Sequence, residues 1–318
     1  MESFLFALNA VMPLILLVLL GYILKKVGMI SKSFVPMANK LVFYVFLPAT
    51  LFLNVYKMEG SDGIKIGYII YGISVTLSIF VTVMLFARIL SKHGNRRGVI
   101  LQASFRSNYS LVGIALASAL FKEKGVAAAA LMSVIIIPLF NVLAVVSLSI
   151  FSSDGKKPKL GNVLRSIAKN PLIISTLAGL LCVFVRGPLT SLGVGFRISD
   201  VVLVYRVLEY LSGISTPLAL IILGAQFEFS QVGKMKREII LATTIRTAMV
   251  PTLGLGLAYI CFRDVFLPEH FAALVAMFAT PVAVSSVPMA QEMDSDVSLA
   301  GQLVVWTTLI SAFSLFII

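Results

Sequence analysis

The sequence predicts an all-α integral membrane protein. Its ten transmembrane helices form two inverted five-helix repeats, and helices four and nine are broken and cross. Three observations lead there. The chain carries too few charges to cover itself with a polar surface, its apolar runs are long enough to span a bilayer, and a polar linker divides ten such runs five and five.

The composition bounds the class. Of 318 residues, 59% are hydrophobic and 13% charged, and the mean hydropathy is +1.01. A soluble chain carries roughly 25% charged residues, and one of this size needs a large polar surface. Runs of about 18 or more apolar residues match a hydrocarbon core about 30 Å thick. Backbone groups cannot stay unpaired there, so each span is expected to be helical. The alternating segments of about ten residues that a β-barrel requires are absent. The net charge of +12 would suggest nucleic acid for a soluble protein. Here the basic residues sit in short connectors, so topology accounts for them and no nucleic-acid partner is expected. Cys182 and Cys261 lie in apolar runs and are read as lipid- or helix-facing thiols, not a disulfide. Glu2 precedes an apolar run that continues to Leu24, too long for a cleaved signal and without a basic n-region; it is read as the first span.

The ten apolar segments are 4–24, 34–54, 64–90, 97–121, 125–151, 166–186, 200–225, 236–261, 268–292 and 296–318. About twenty residues suffice to cross at 1.5 Å per residue. The connectors alternate in charge. One set holds Lys25, Lys26 and Lys32, then Arg88, Lys92, Arg96 and Arg97, then Lys156, Lys157, Lys159, Arg165 and Lys169, then Lys234, Lys236 and Arg237. The other is poorer: Lys57 and Lys65, Lys122 and Lys124, Arg186, Arg197 and Arg206, and Arg263. The richer set is therefore read as cytoplasmic, with both termini outside. The acidic connector Glu292, Asp294 and Asp296 also falls inside, where acidic residues weigh little. The stretch Ser152–Gly161 is the most polar and flexible linker. It sets an N-terminal repeat over 1–151, a cytoplasmic linker over 152–165 and a C-terminal repeat over 166–318. An odd number of spans per half makes related halves run in opposite directions, the inverted-repeat layout of secondary transporters. Identity between the halves is weak, so the repeat rests on hydropathy.

Corresponding positions in the halves carry the most unusual sequence. Span four holds Arg106, Ser107, Asn108, Ser110 and Gly113; span nine holds Thr280, Pro281, Ser285, Ser286 and Pro288. Proline removes a donor and clashes with the preceding turn, and glycine and small polar residues also favour unwinding. Freed backbone groups are tolerated only where they line a buried or wet cavity. Two such breaks would bring half-helix N-termini together, with donors suited to an anion. The competing reading is that these residues only kink the helices or allow close packing.

Arg106 has two readings of equal weight: a counter-charge for a carboxylate, or a side chain snorkelling to the interface. Arg246, about nine residues past Arg237, is read as snorkelling. Glu209 is read as a surface pair with Arg206. Asn54 and Asn141 are either cross-helix hydrogen-bonding residues or, for Asn141, equally a substrate contact. Gln291 and Glu292 suit a cytoplasmic gate, and His93 and His270 are placed in connectors without a metal role. No P-loop, GxGxxG, HExxH or CxxC pair is present, so no enzyme, cofactor or self-contained ATP-driven pump is expected.

Several segments carry a resemblance. VMPLILLVLLGYILKKVGMIS, NKLVFYVFLPATLF with Pro48, LSGISTPLALIILGAQF with Pro217 to Gly224, and TPVAVSSVPMAQEM resemble, in order and spacing, the auxin efflux carrier family. The resemblance extends over essentially the whole chain. That family includes plant auxin carriers and bacterial permeases assigned to malate or malonate. It implies ten helices in two inverted repeats, crossed broken helices four and nine, and scaffold and transport domains, each drawn from both repeats, that move elevator-fashion. It implies a multi-pass protein of the plasma or inner membrane and a small carboxylate as substrate. Asn108 matches its crossover asparagine and Asn141 its helix-five asparagine. Ala115 stands where a crossover proline is frequent, which implies a more continuous helix four. Substrate contacts are expected from Arg106, Asn108, Gly113, Asn141, Pro281, Ser285, Ser286 and Pro288. An H+ or Na+ coupling ion, membrane lipid and a homodimer are the further partners left open. The rival classes are a sodium-coupled organic anion symporter of the bile-acid type and a non-transporting membrane sensor or channel.

Overall fold

A computed structural model describes residues 2–57, 66–151, 160–193 and 195–317, with the backbone alone for 2–10 and 316–317. The described residues are almost wholly helical and form no strand. Lys65 and the linker residues 152–159, with Lys156, Lys157 and Lys159, lie outside them. The part of the expected linker that is described is not extended: Leu160 opens a helix running to Lys169.

Helix α1 (Glu2–Lys26) is followed by α2 (Phe34–Leu41), which passes through a π-helical turn at Val42–Phe46 into α3 (Leu47–Tyr56). Then come α4 (Gly67–Leu90), α5 (Gly94–Phe105), a π-helical turn at Tyr109–Gly113, and α6 (Ile114–Ile150). The second half holds α7 (Leu160–Lys169), α8 (Pro171–Ser191), α9 (Val202–Gln226), α10 (Phe229–Lys234) and α11 (Lys236–Thr244). A third π-helical turn, Ile245–Met249, leads into α12 (Val250–Phe262), followed by α13 (Pro268–Phe278), α14 (Ser286–Glu292) and α15 (Val297–Ile317). Seven helical stretches among the described residues are long and apolar enough to cross a membrane.

Local chemistry explains the irregular points. The π-helical turns before α3 and α12 each end just ahead of a proline, Pro48 and Pro251. Proline has no N–H to give the preceding turn, and a wider turn absorbs the mismatch. Helix α6 is two limbs: Phe121 and Lys122 leave helical geometry, Lys122 at φ 47°. The limbs fold back so closely that a Cβ on Gly125 would overlap the Ala117 carbonyl. Asn170 caps α8 by accepting the Leu172 N–H at 2.9 Å.

The helices pack as two groups. In one, α1 lies along α9, and α3 packs on α8 and α9. In the other, α13 packs on α6 and α12, α5 on α4 and α6, and α15 on α11 and α14. The groups meet where α1 touches α15, α6 touches α8 and α14 touches α2. Within the second group, Arg96 binds Asp296 at 2.9 Å and Glu238 at 3.3 Å, joining the starts of α5, α11 and α15. The acidic connector thus has a direct partner in a residue of the basic set.

The contact of α1 with α9 depends on two glycines. A Cβ on Gly21 would overlap the Ile221 carbonyl, and one on Gly224 the Val18 carbonyl. Backbone cannot yield as a side-chain tip can. Gly224→Ala is therefore expected to cost about 1–3 kcal/mol of overpacking, more than the ~1 kcal/mol that alanine gains in helix propensity. Gly256→Ala meets nothing within 4 Å and is expected to raise stability slightly. Thermal unfolding of the two variants in detergent checks the opposite signs.

Candidate functional site

Helix α5 stops at Phe105 because the chain becomes extended at Arg106 (φ −79°, ψ 94°). Helix α13 stops at Phe278, three residues before Pro281. The two irregular stretches cross and pair antiparallel at Ser107 and Val282. The Asn108 N–H donates to the Pro281 carbonyl at 2.8 Å, and the Ala283 N–H to the Arg106 carbonyl at 3.1 Å. The Val282 N–H between them donates to Thr307 Oγ1 of α15 at 3.1 Å. Backbone groups released by the breaks thus find each other, as an apolar interior demands.

The break in the first half falls at Arg106–Asn108, upstream of Gly113, and needs no proline. The more continuous helix implied by Ala115 is not what forms, because the pairing with 281–283 supplies the partners that a helix would. Gly113 closes the π-helical turn, its N–H donating to the Asn108 carbonyl at 3.2 Å. It gives α13 close access: a Cβ there would sit 3.0 Å from Ala276.

A cavity of about 60 Å³ adjoins the crossing. Arg106, Ser107, Asn108, Asn141 and Ser285 line it from one helix group, and Thr50, Ser215 and Thr216 from α3 and α9 of the other. Arg106 is 3% exposed. Its Nη2 donates to Asn141 Oδ1 at 2.7 Å, and its Nη1 approaches Met289 Sδ at 2.9 Å, a weak acceptor. Among the described residues no carboxylate makes an ion pair with it. The snorkelling alternative for Arg106 is thereby overturned. Around it, Ser107 Oγ, Asn108 Nδ2, Asn141 Nδ2 and Ser215 Oγ are buried without a hydrogen-bond partner. Asn141 thus turns its oxygen to the guanidinium and keeps an amide N–H₂ to offer.

The other anticipated residues fall beside the cavity, not in its lining. Pro281 contributes its carbonyl to the crossing. Ser286 and Pro288 are buried in α14, Ser286 with an unpartnered hydroxyl. At the half-helix N-terminus expected there, the N–H groups within α14 itself are taken up. The N–H groups of Ser286, Val287 and Met289 turn back onto the carbonyls of Ala283, Val284 and Ser285, and Pro288 has none. Side chains of Ser107, Asn108, Asn141 and Ser215 supply buried donors at this site.

Arg246 corrects its expected placement most sharply. It is fully buried. Nε and Nη2 donate to the Thr280 carbonyl at 2.9 and 2.7 Å, and Nη2 also to Met277 at 3.0 Å. Nη1 reaches the carbonyls of Ser104 and Phe105 at 3.4 Å. A proline at 281 cannot donate to the carbonyl four residues back, and Arg246 takes that place at Met277. Two other expectations change, for Glu209 and His270. Glu209 binds Lys57 at 3.0 Å, across the α3–α9 contact, rather than Arg206. His270 lies in the first turn of α13, buried and stacked on Tyr68 at 4.3 Å. Gln291 accepts from Asn39 Nδ2 at 2.8 Å and donates to the Pro36 carbonyl at 3.0 Å, so it joins α14 to α2. Cys182 and Cys261 are free thiols, and Asn54 lies half-buried in α3.

Ser107, Thr50, Ser215 and Thr216 were missed as lining residues. The signal available for the last two was a polar pair directly before Pro217 in an otherwise apolar run.

Comparison with known proteins is consistent over nearly the full length. Residues 6–318 match the family described as "Membrane transport protein". An "Uncharacterized transporter" of Methanothermobacter thermautotrophicus is 24% identical over 310 residues, covering 96% of this chain and 95% of that protein. The "Uncharacterized transporter MJ1031" of Methanocaldococcus jannaschii is 26% identical over 228 residues, covering 68% of each.

The crossing itself is testable without a ligand. Thr307→Val keeps the shape but removes the acceptor of the buried Val282 N–H. An unsatisfied buried donor costs about 1–3 kcal/mol, so the variant is expected to unfold several degrees lower. Thr307→Ser keeps the oxygen and is expected to stay near wild type in the same thermal scan.

Proposed function

The chain belongs to the membrane transport protein family, and from that premise we propose that it is a secondary carrier of small organic anions. The observation that carries this reading is the buried Arg106 guanidinium. It has no carboxylate partner among the described residues, and it faces unpartnered donors on Ser107, Asn108, Asn141 and Ser215 across the cavity. A buried charge without a counter-charge is costly. A carboxylate would supply the negative charge and accept from the donors together.

The wider layout follows the same reading. Taking α1, α2–α3, α4, α5 with the first limb of α6, the second limb of α6, α8, α9, α11–α12, α13 with α14, and α15 as crossings makes ten, five on each side of the 152–165 linker. The repeats 1–151 and 166–318 then run in opposite senses, with both termini on the non-cytoplasmic side of the cell membrane. The group of α1, α3, α8 and α9 is the scaffold. The group carrying the crossing is the transport domain, which moves against it elevator-fashion. Substrate contacts come from Arg106, Asn108 and Asn141, joined by Ser285 and, from the scaffold, Ser215. Gly113, Pro281 and Pro288 shape the backbone around them, and Ser286 lies next in line with a free hydroxyl. A cavity of about 60 Å³ has room for roughly two waters. The carried acid is a small carboxylate such as malate or malonate, or an auxin-like acid, as the family resemblance implies.

Asn141→Asp tests this. The new carboxylate would sit 2.7 Å from the Arg106 guanidinium and take the substrate's place. Hydrogen bonds to charged groups are worth about 1.5–3 kcal/mol, or about 10- to 150-fold in affinity. Uptake of malonate or malate into proteoliposomes is expected to fall by at least tenfold in Asn141→Asp, and likewise in Arg106→Ala and Asn108→Ala. The empty Asn141→Asp protein is expected to gain thermal stability while losing any shift on adding the acid. Unchanged uptake and affinity in all three variants would sink the assignment.

A further inference from the structure

Helices α5 and α13 both end at the crossing with their C-termini, the negative ends of their dipoles. Their last carbonyls have lost helical partners through the breaks. Those of Ser104, Phe105, Met277 and Thr280 converge on one point. Such a set of oxygens with no carboxylate, deep in an apolar interior, calls for a cation. In transporters, unwound carbonyls and half-helix C-termini coordinate monovalent ions. Here the point is occupied by the Arg246 guanidinium, whose five hydrogen bonds all go to these four carbonyls. It has no ion-pair partner among the described residues. The π-helical turn Ile245–Met249 that carries it is held against α5 and α15.

We propose that the Arg246 guanidinium is a tethered cation filling a monovalent-cation site at the crossing, so that this protein needs no Na+ there. A free ion and the guanidinium exclude each other, since they would share the same oxygens. An exchangeable cation could couple the site to an ion gradient; a tethered one cannot leave. Its charge serves the fold in every state of the cycle, and Arg106 remains the charge offered to the substrate. The inference is independent of which anion is carried, and its test reads stability instead of uptake.

Thermal unfolding of the purified protein is measured in NaCl, KCl and choline chloride at equal ionic strength. The wild type is expected to unfold at one temperature in all three. A saturable rise with Na+ or K+ over choline would overturn the proposal. Arg246→Ala opens the carbonyl cage. It is expected to unfold many degrees lower and to recover several degrees, saturably, with dilute guanidinium, Na+ or K+ but not with choline. A folded Arg246→Ala protein indifferent to all of these also overturns the proposal. Should Arg246→Ala not fold in any salt, Arg246→Lys decides. Its ammonium is expected to keep the protein indifferent to Na+ and K+, and a saturable Na+ or K+ response there counts against a tethered cation. Failure of this series leaves the uptake experiment on Asn141→Asp intact, so the two readings stand or fall separately.

Discussion

The antiparallel pairing of 106–108 with 281–283 is the contact on which the rest depends. A helix interrupted in an apolar interior leaves donors and acceptors that water cannot reach. The chain meets this with a second interruption crossing the first, so that each break supplies the other's partners. Two backbone bonds, Asn108 to Pro281 and Ala283 to Arg106, tie the stretches together. What two short stretches cannot cover is taken up by side chains from neighbours: Thr307 for the Val282 N–H and Arg246 for the carbonyl ends. Each break therefore depends on the other for its backbone partners.

The polar contacts divide by kind between the helix groups. Inside the group that carries the crossing, full charges are used: Arg96 with Asp296 and Glu238, side chains only 11–18% exposed. Breaking one partner of such a pair leaves a poorly solvated charge, which ties α5, α11 and α15 into one unit. Between the groups, α14 meets α2 through neutral amides, Asn39 with Gln291 and, at 3.4 Å, Gln226. Neutral bonds exchange with water at small net cost. Strong links thus lie within the group that carries the crossing and weaker ones on its contact with α2, while the α1–α9 glycine contact holds the other group closely packed.

Much of this was legible in the sequence, for simple reasons. Run length and charge islands fixed where helices lie, since a bilayer tolerates little else. Pro281 announced the second break because no helix can use its nitrogen. Arg106, Asn108 and Asn141 stood out as polar residues in apolar runs, and the cavity brings all three together. The first break falls within the polar stretch 106–113, but its pairing with a segment 170 or more residues away leaves no local mark. Arg246 was misread for the same reason. Spacing along its own helix put it within reach of an interface, while its partners belong to α5 and α13.

The two buried arginines separate by what surrounds them, and this is why the proposed ligand contact falls on one and not the other. Both are removed from water and neither has a carboxylate among the described residues. Arg246 has five hydrogen bonds to carbonyls at the negative ends of two helices, so its field is answered by the fold. Arg106 has one amide oxygen and a thioether, which leaves most of its donors and nearly all of its charge unanswered. Near it are the unpartnered amide N–H₂ groups of Asn108 and Asn141 and the unpartnered hydroxyls of Ser107 and Ser215, none of which carries negative charge. Neutral amides and hydroxyls gathered around a positive charge do not neutralise it. They become complementary when an acceptor carrying negative charge enters between them, and that need is the physical ground for proposing the Arg106 cavity as the anion site.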